Sequence, residues 1–157
     1  MKRPNWDNYF LKMALLAAER STCRRHHVGA VIVRDKRVLT TGYNGAPKGT
    51  VDCLELGCLR DQKNIPSGTR QEVCRAIHAE QNAIIQAGLH GVSIVNSTIY
   101  CTHSPCFICA KMIVNAGIKR MVSFTKYADE NFPDLFREAG VVFDVLPVPK
   151  MVISRKP

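Results

Sequence analysis

The chain has 157 residues, 46% of them hydrophobic and 22% charged, a make-up that suits one compact globular domain with enough apolar material for a core. No uninterrupted apolar run reaches membrane-spanning length, and Met1-Lys2-Arg3 leads into Asn5-Trp6-Asp7 instead of an apolar signal segment, so a cytoplasmic protein is expected. Seven cysteines, an odd number, argue against a secreted disulfide framework; the formal charge of +9 is spread along the chain without interleaved base-stacking aromatics, so it suits a phosphorylated small molecule as well as a nucleic acid.

Residues 1–157 are expected to form a single domain, with a core over about 6–145 and a C-terminal tail over 146–157. Behind Asn5, a plausible N-cap, the residues Trp6, Tyr9, Phe10, Met13, Leu16 and Ala17 recur at helical spacing and predict a first helix over about 6–20. VGAVIVR (28–34) and RVLTTGY (37–43) flank Asp35-Lys36 and predict an antiparallel hairpin. From Asn44 to Ala76 periodicity disappears while glycine and proline punctuate the chain, which predicts a long functional loop.

The segment HAEQNAIIQAGL, from His78, places Ala79, Ala83 and Ala87 on one stripe with Ile84 beside it, predicting a buried helix with His78 at its start. A strand follows at Thr98–Thr102, with Cys101 read as a core residue. Pro105 then precedes CFICAKMIVNAG, where Ile108, Met112 and Ile113 recur at helical spacing and Gly117 ends the run. A strand at Arg120–Phe124, a helix near Asn131–Ala139 stopped by Gly140 and a strand at Val141–Val145 complete the chain, and this alternation implies parallel strands joined to the antiparallel hairpin.

Two of these helix starts carry chemistry. A catalytic zinc typically takes three protein ligands and leaves its fourth position to water. His78, Cys106 and Cys109 would fill three places, with both thiols in the first turn of a helix, where unpaired N–H groups favour their ionisation. Glu80, two residues after His78, points away from its neighbour's side of a helix and is read as a proton shuttle, not a ligand. The C-x-x-C alone would equally suit a zinc knuckle or a redox pair. Joined to H-A-E and the preceding proline, it matches the H-x-E and P-C-x-x-C signature of zinc nucleobase deaminases.

The chain resembles the deoxycytidylate (dCMP) deaminase family, including its late-competence-operon type of bacterial homologue. The resemblance rests on Arg20-Ser21-Thr22-Cys23, Val28 to Val33, Gly42-Tyr43-Asn44-Gly45, His78 to Ile84 and Pro105 to Cys109. It implies a cytidine-deaminase-like three-layer α/β/α fold with a five-stranded mixed sheet, and zinc-dependent hydrolysis of dCMP to dUMP with release of ammonia. It also implies a homo-oligomer, often a hexamer, with dCTP and dTTP as effectors in some members. Carried over residue by residue, it gives His78, Cys106 and Cys109 as zinc ligands, Glu80 as proton shuttle, Asn44 as a sugar contact, and Arg25 and Tyr127 as phosphate or base contacts.

Cys23 resembles a ligand of a second, structural zinc in phage members, whose His and Glu partners are not evident where Glu72 and Ala76 stand. Cys23, Cys53, Cys58 and Cys74 could form a four-thiolate site in their place, or pack as buried free thiols. Three functions are open to such a chain: a dCMP deaminase; another zinc deaminase, of tRNA adenosine, nucleoside or riboflavin-precursor type; or a non-catalytic zinc protein used for binding. The intact Glu80 argues against the last, and GYNG with the scattered basic residues argues against tRNA.

Overall fold

The structure, a computed structural model, describes residues 3–126 and 131–151. Its elements run α1 (Trp6–Ala18), β1 (Gly29–Arg34), β2 (Arg37–Tyr43), α2 (Cys53–Leu56), α3 (Leu59–Gln62), α4 (Ala79–Leu89), β3 (Thr98–Cys101), α5 (Phe107–Asn115), β4 (Arg120–Ser123), α6 (Phe132–Ala139) and β5 (Val142–Val145). The strands form one five-stranded sheet in the order β2-β1-β3-β4-β5. β1 runs antiparallel to both β2 and β3, whereas β3, β4 and β5 are parallel. This is the mixed sheet expected of a hairpin followed by strand–helix alternation.

The pleat sends alternate residues to opposite faces and so builds two cores. Ala30, Ile32, Ile99, Cys101 and Met121 face a layer made by α4, α5 and α6, where Ala83, Ala110, Ile113 and Phe136 meet them. Val31, Val33, Tyr100 and Val122 face α1 through Phe10, Leu11 and Ala14. The result is a three-layer α/β/α sandwich, as the resemblance implies.

The hairpin closes through Asp35 and Lys36, at φ 52° and 60°, the paired left-handed residues of a type I′ turn. Two glycines let helices lie directly on the hairpin. A Cβ on Gly29 would come within 2.0 Å of the Ala14 carbonyl oxygen in α1, and one on Gly42 within 2.2 Å of the Ala79 carbonyl oxygen in α4. The small residues of these helices, Ala14 and Ala18 on one side and Ala79 and Ala83 on the other, serve the same close approach.

The structure adds detail to two expectations. The buried face of α1 carries Phe10, Leu11, Ala14 and Ala18, whereas Trp6, Tyr9 and Leu16 are exposed, Leu16 at 60%. The contact with Gly29 demands small side chains, so it rotates the aromatic stripe outward and keeps only Phe10 of it in the core. The loop between Asn44 and Ala76 also holds two single-turn helices, α2 and α3, and a 3-10 turn at Gln71–Val73. Each is too short to give a periodic signal; α2 is started by Asp52, whose side chain accepts from the backbone N–H groups of Leu54 and Glu55.

Asp7 ties α1 to the strands β3 and β4. Its carboxylate accepts two bonds from Arg120, at 2.8 and 3.0 Å, and one from the Tyr100 hydroxyl at 2.8 Å, while Arg120 also donates to Asp144 at 2.8 Å. The Arg120 hydrogen bonds hold the Asp7 carboxyl below its usual range against the opposing effect of burial. A carboxyl whose pKa falls on folding stabilises the native state above its unfolded value, near 3.9, and loses that stabilisation as pH drops through the lowered value. Asp7→Asn is therefore expected to cost roughly 1–2 kcal/mol at pH 7. In urea unfolding, the gap to the wild type should narrow at pH 3.

Candidate active site

The site forms where the N-termini of α4 and α5 meet at the C-terminal end of β3, the usual position for ligands in α/β sheets. His78 is the N-cap of α4 and Cys106 the N-cap of α5, with Cys109 three residues on. Several contacts fix the start of α4. Ile77 exchanges two backbone hydrogen bonds with Gly45, the His78 N–H donates to Gln81 at 2.8 Å, and Asn82 donates to the Tyr43 carbonyl at 2.7 Å. Gln81 and Asn82 are thus positioning residues whose role spacing alone did not reveal. Their signal was the H-A-E-Q-N run itself.

The Nδ1 atom of His78 lies 3.5 Å from the sulfur of Cys106 and 3.4 Å from that of Cys109. Among the described residues this is the group whose three ligand atoms lie within 4.8 Å of one another. A tetrahedral zinc with usual bond lengths would span a nitrogen–sulfur edge of about 3.5 Å, so the three donors fit that ion. The ligating nitrogen would be Nδ1.

The hydrogen bond between the two thiols shifts them in opposite directions when no cation lies between them. The hydrogen bond from Cys109, helped by His78, lowers the Cys106 pKa to about 4, while the same bond and burial raise that of Cys109. The sequence led to the expectation that both would ionise easily at a helix N-terminus. Cys106 accepts from the Cys109 backbone N–H at 3.5 Å as that argument requires, but two adjacent negative sulfurs need a cation between them. Burial opposes charge on His78, yet the hydrogen bond with Cys106 and the fields of Glu80 and Cys106 raise its pKa overall. A chelated cation would replace these shared protons.

Glu80, one residue into α4, is 4% exposed. Burial raises its pKa to about 7 against the lowering influence of His78 and a backbone hydrogen bond. A carboxyl near neutrality both accepts and donates protons readily. Cys101, buried in β3 as expected, is likewise held as a neutral thiol, first by burial and then by the field of Glu80.

A cavity opens beside this cluster, and its lining includes His78, Glu80 and Cys106 together with Asn44, Arg25 and Arg60. Asn44 is 7% exposed and clamps the preceding loop: its amide oxygen accepts from Ser21 at 2.6 Å and the Val28 N–H at 2.9 Å, while its nitrogen donates to the His26 carbonyl at 2.8 Å. One N–H of the amide is left for a ligand. Arg25 is anchored by Asp61 at 2.8 Å and the Ile65 carbonyl at 2.7 Å, which leaves Nη1 buried and without a hydrogen-bond partner. Tyr127 lies outside the described residues. Arg60 was not singled out from the sequence, because no motif marks a lone arginine inside a non-periodic segment.

Cys23, Cys53, Cys58 and Cys74 also line the cavity, and all seven cysteines are free thiols. Burial raises the pKa of Cys53, followed by the fields of Cys23, Cys74 and Cys58, so the four sulfurs are neighbours. Among the described residues they do not draw together as tightly as His78, Cys106 and Cys109.

Residues 4–125 match the cytidine and deoxycytidylate deaminase zinc-binding region. The chain is 44% identical over 140 residues to the deoxycytidylate deaminase of Schizosaccharomyces pombe, across 88% of this chain and 43% of that protein. It is 40% identical over 157 residues to ComE operon protein 2 of Bacillus subtilis, across 99% of this chain and 79% of that one. It spans less than half the length of the yeast deoxycytidylate deaminases it matches. The crystal structure of the dCMP deaminase from cyanophage S-TIM5 in complex with dCMP and dUMP superposes with a TM-score of 0.77 at 30% identity, over 93% of this chain and 100% of that one. With a clustered His-Cys-Cys donor set, a buried neighbouring carboxyl and this breadth of match, the chain belongs to the cytidine and deoxycytidylate deaminase zinc-binding family.

Proposed function

We propose that this chain is a zinc-dependent hydrolase that converts dCMP and water to dUMP and ammonia. The observation that carries the reading is Glu80, a buried carboxyl near neutrality beside the His78-Cys106-Cys109 cluster, lining a cavity that arginines also line. A protein that used zinc only for shape would give such a carboxyl no chemical role. Relatives named deoxycytidylate deaminase and the dCMP- and dUMP-bound phage enzyme support the substrate.

In this reading His78, Cys106 and Cys109 hold the zinc. Zinc, when bound, brings the pKa of a water toward neutrality and so supplies the nucleophile for C4 of the cytosine ring. Glu80 accepts the first proton of that water and passes it to ring nitrogen N3 as the oxygen adds to C4, then takes the second proton from the C4 hydroxyl and passes it to the amine, so that ammonia leaves and the ring keeps a carbonyl. The free N–H of Asn44 serves the sugar, and Nη1 of Arg25 the phosphate; Tyr127 is proposed as a further contact to phosphate or base.

The proposal extends to a cytoplasmic homo-oligomer, a hexamer in the family pattern, and to dCTP and dTTP as effectors. Free thiols suit a reducing compartment, and among the described residues no helix is long and apolar enough to cross a membrane. Exposed Ile85 and Leu89 on α4, beside the sheet-edge strand β2, support self-association.

Ammonia release compared across dCMP, CMP, dCTP, deoxycytidine and tRNA tests the function. The highest kcat/KM should fall on dCMP, and a preference for any other member of that panel would overturn the reading. The four loop thiols are proposed to hold a second, structural zinc that ties the end of α1 and the loop to the start of α4. Metal analysis should then find two zinc ions per chain in metal-replete protein and one in Cys53→Ser. One zinc per chain in the wild type would leave the thiols as packing residues.

A further inference from the structure

Arg60, in α3, is 6% exposed, yet among the described residues no carboxylate pairs with it. Its Nη2 donates to the Pro66 carbonyl at 2.9 Å, and its Nε is buried with no hydrogen-bond partner. A guanidinium is always charged, and burying one without a counter-ion is strongly unfavourable. Its side chain lines the same cavity as Glu80 and His78. Arg25, which also lines it, already has Asp61 as its counter-ion and retains only the unpartnered Nη1. Arg24 and Arg75 line the cavity too, but among the described residues Arg60 is the buried arginine there without a carboxylate partner, and Nε of Arg60 and Nη1 of Arg25 are two N–H groups without an acceptor.

We propose that Arg60 is a specificity residue of this site, receiving the 5′-phosphate of the nucleotide together with Nη1 of Arg25. The assignment rests on the nucleotide reading above and deepens it. A phosphate dianion supplies both the missing counter-charge and acceptor oxygens for the two N–H groups. Because Arg60 is held by the Pro66 carbonyl and enclosed, it suits a single terminal phosphate in a fixed place. Neutral nucleosides forgo the contact. The thiolates of a metal-bound cysteine cluster are the competing counter-charge, and the test separates the two.

Binding of the product dUMP and of deoxyuridine is measured by calorimetry on wild type, Arg60→Met and Arg60→Lys, with zinc per chain and unfolding temperature recorded for each. Arg60→Met should weaken dUMP by about 10–150-fold, the equivalent of one hydrogen bond to a charged group, and leave deoxyuridine within about twofold. Arg60→Lys keeps the charge but loses the fork, and should fall between wild type and Arg60→Met. If Arg60→Met does not fold, Arg60→Lys carries the test, with dUMP weakened at least about threefold and deoxyuridine unchanged. Unchanged dUMP affinity, equal losses on both ligands, or a fall in zinc per chain would overturn the assignment, the last by making Arg60 the counter-charge of the thiols. A wild-type protein that prefers dUMP to deoxyuridine but releases no ammonia from dCMP would instead overturn the deaminase reading while leaving Arg60 in place.

Discussion

Glu80→Gln is expected to keep its zinc and its fold while losing at least about 10²–10⁴-fold in turnover of dCMP, the span that general acid–base catalysis contributes. The amide has the same shape as the carboxyl and fits the same buried place beside the His78-Cys106-Cys109 cluster. It can neither take a proton from water nor return one to N3 or to the amine. The variant separates shuttle from ligand. Zinc per chain equal to wild type with turnover lost is the expected pair of results; retained turnover would remove the shuttle role, and lost zinc would make Glu80 a ligand. Burial raises the Glu80 pKa, so the carboxyl favours folding only while protonated and loses that contribution as pH climbs through about 7. Metal-free Glu80→Gln should therefore gain on metal-free wild type in urea unfolding as pH is raised from 6 to 8.

Gly42→Ala should be nearly as damaging from a residue that touches no substrate. Its new Cβ would sit 2.2 Å from the Ala79 carbonyl oxygen and 2.5 Å from the Ala83 nitrogen, backbone atoms of the first turns of α4. No side chain can swing away to relieve this, so the helix must move. His78 and Glu80 move with it, and a displacement of about 1 Å at a reacting centre can cost on the order of 10²-fold in rate. Overpacking adds about 1–3 kcal/mol of lost stability. A thermal melt together with dCMP turnover would show both losses; wild-type turnover in Gly42→Ala would mean that α4 does not depend on this contact for its position.

How legible the molecule was in its sequence follows from how each part is held. The catalytic cluster was readable because metal chemistry fixes residue types at fixed spacing, and because His78 and Cys106 each open a helix whose alanine-rich or apolar run announces itself. The strands were readable as largely apolar runs because β1, β3 and β4 are buried on both faces, and their mixed order followed from a hairpin succeeded by strand–helix alternation. The buried face of α1 was not, because nothing in its stripe of Trp6, Tyr9 and Phe10 announces that Gly29 meets Ala14 and Ala18. Nor were the contacts of the cavity-lining loop. Residues 44–76 are held by side-chain bonds to carbonyls, such as Arg60 to Pro66 and Arg75 to Val51, and by the Arg25–Asp61 pair. Such contacts leave no period in the sequence. Asn44 was expected as a sugar contact; its side chain is also a clamp on residues 21–28, and the residue lines the cavity.

The central claim, that the His78-Cys106-Cys109 cluster and Glu80 together deaminate dCMP with zinc, is tested most directly by removing and restoring the metal in one preparation. Zinc per chain and the rate of ammonia release from dCMP are measured before chelation, after it, and after zinc is returned. The account predicts that the rate falls to background once the His78-Cys106-Cys109 site is stripped and recovers when zinc is added back, while Glu80→Gln taken through the same cycle regains its zinc and stays at background. Ammonia release from dCMP that survives complete removal of zinc, or metal-replete wild-type protein that releases none, would contradict it.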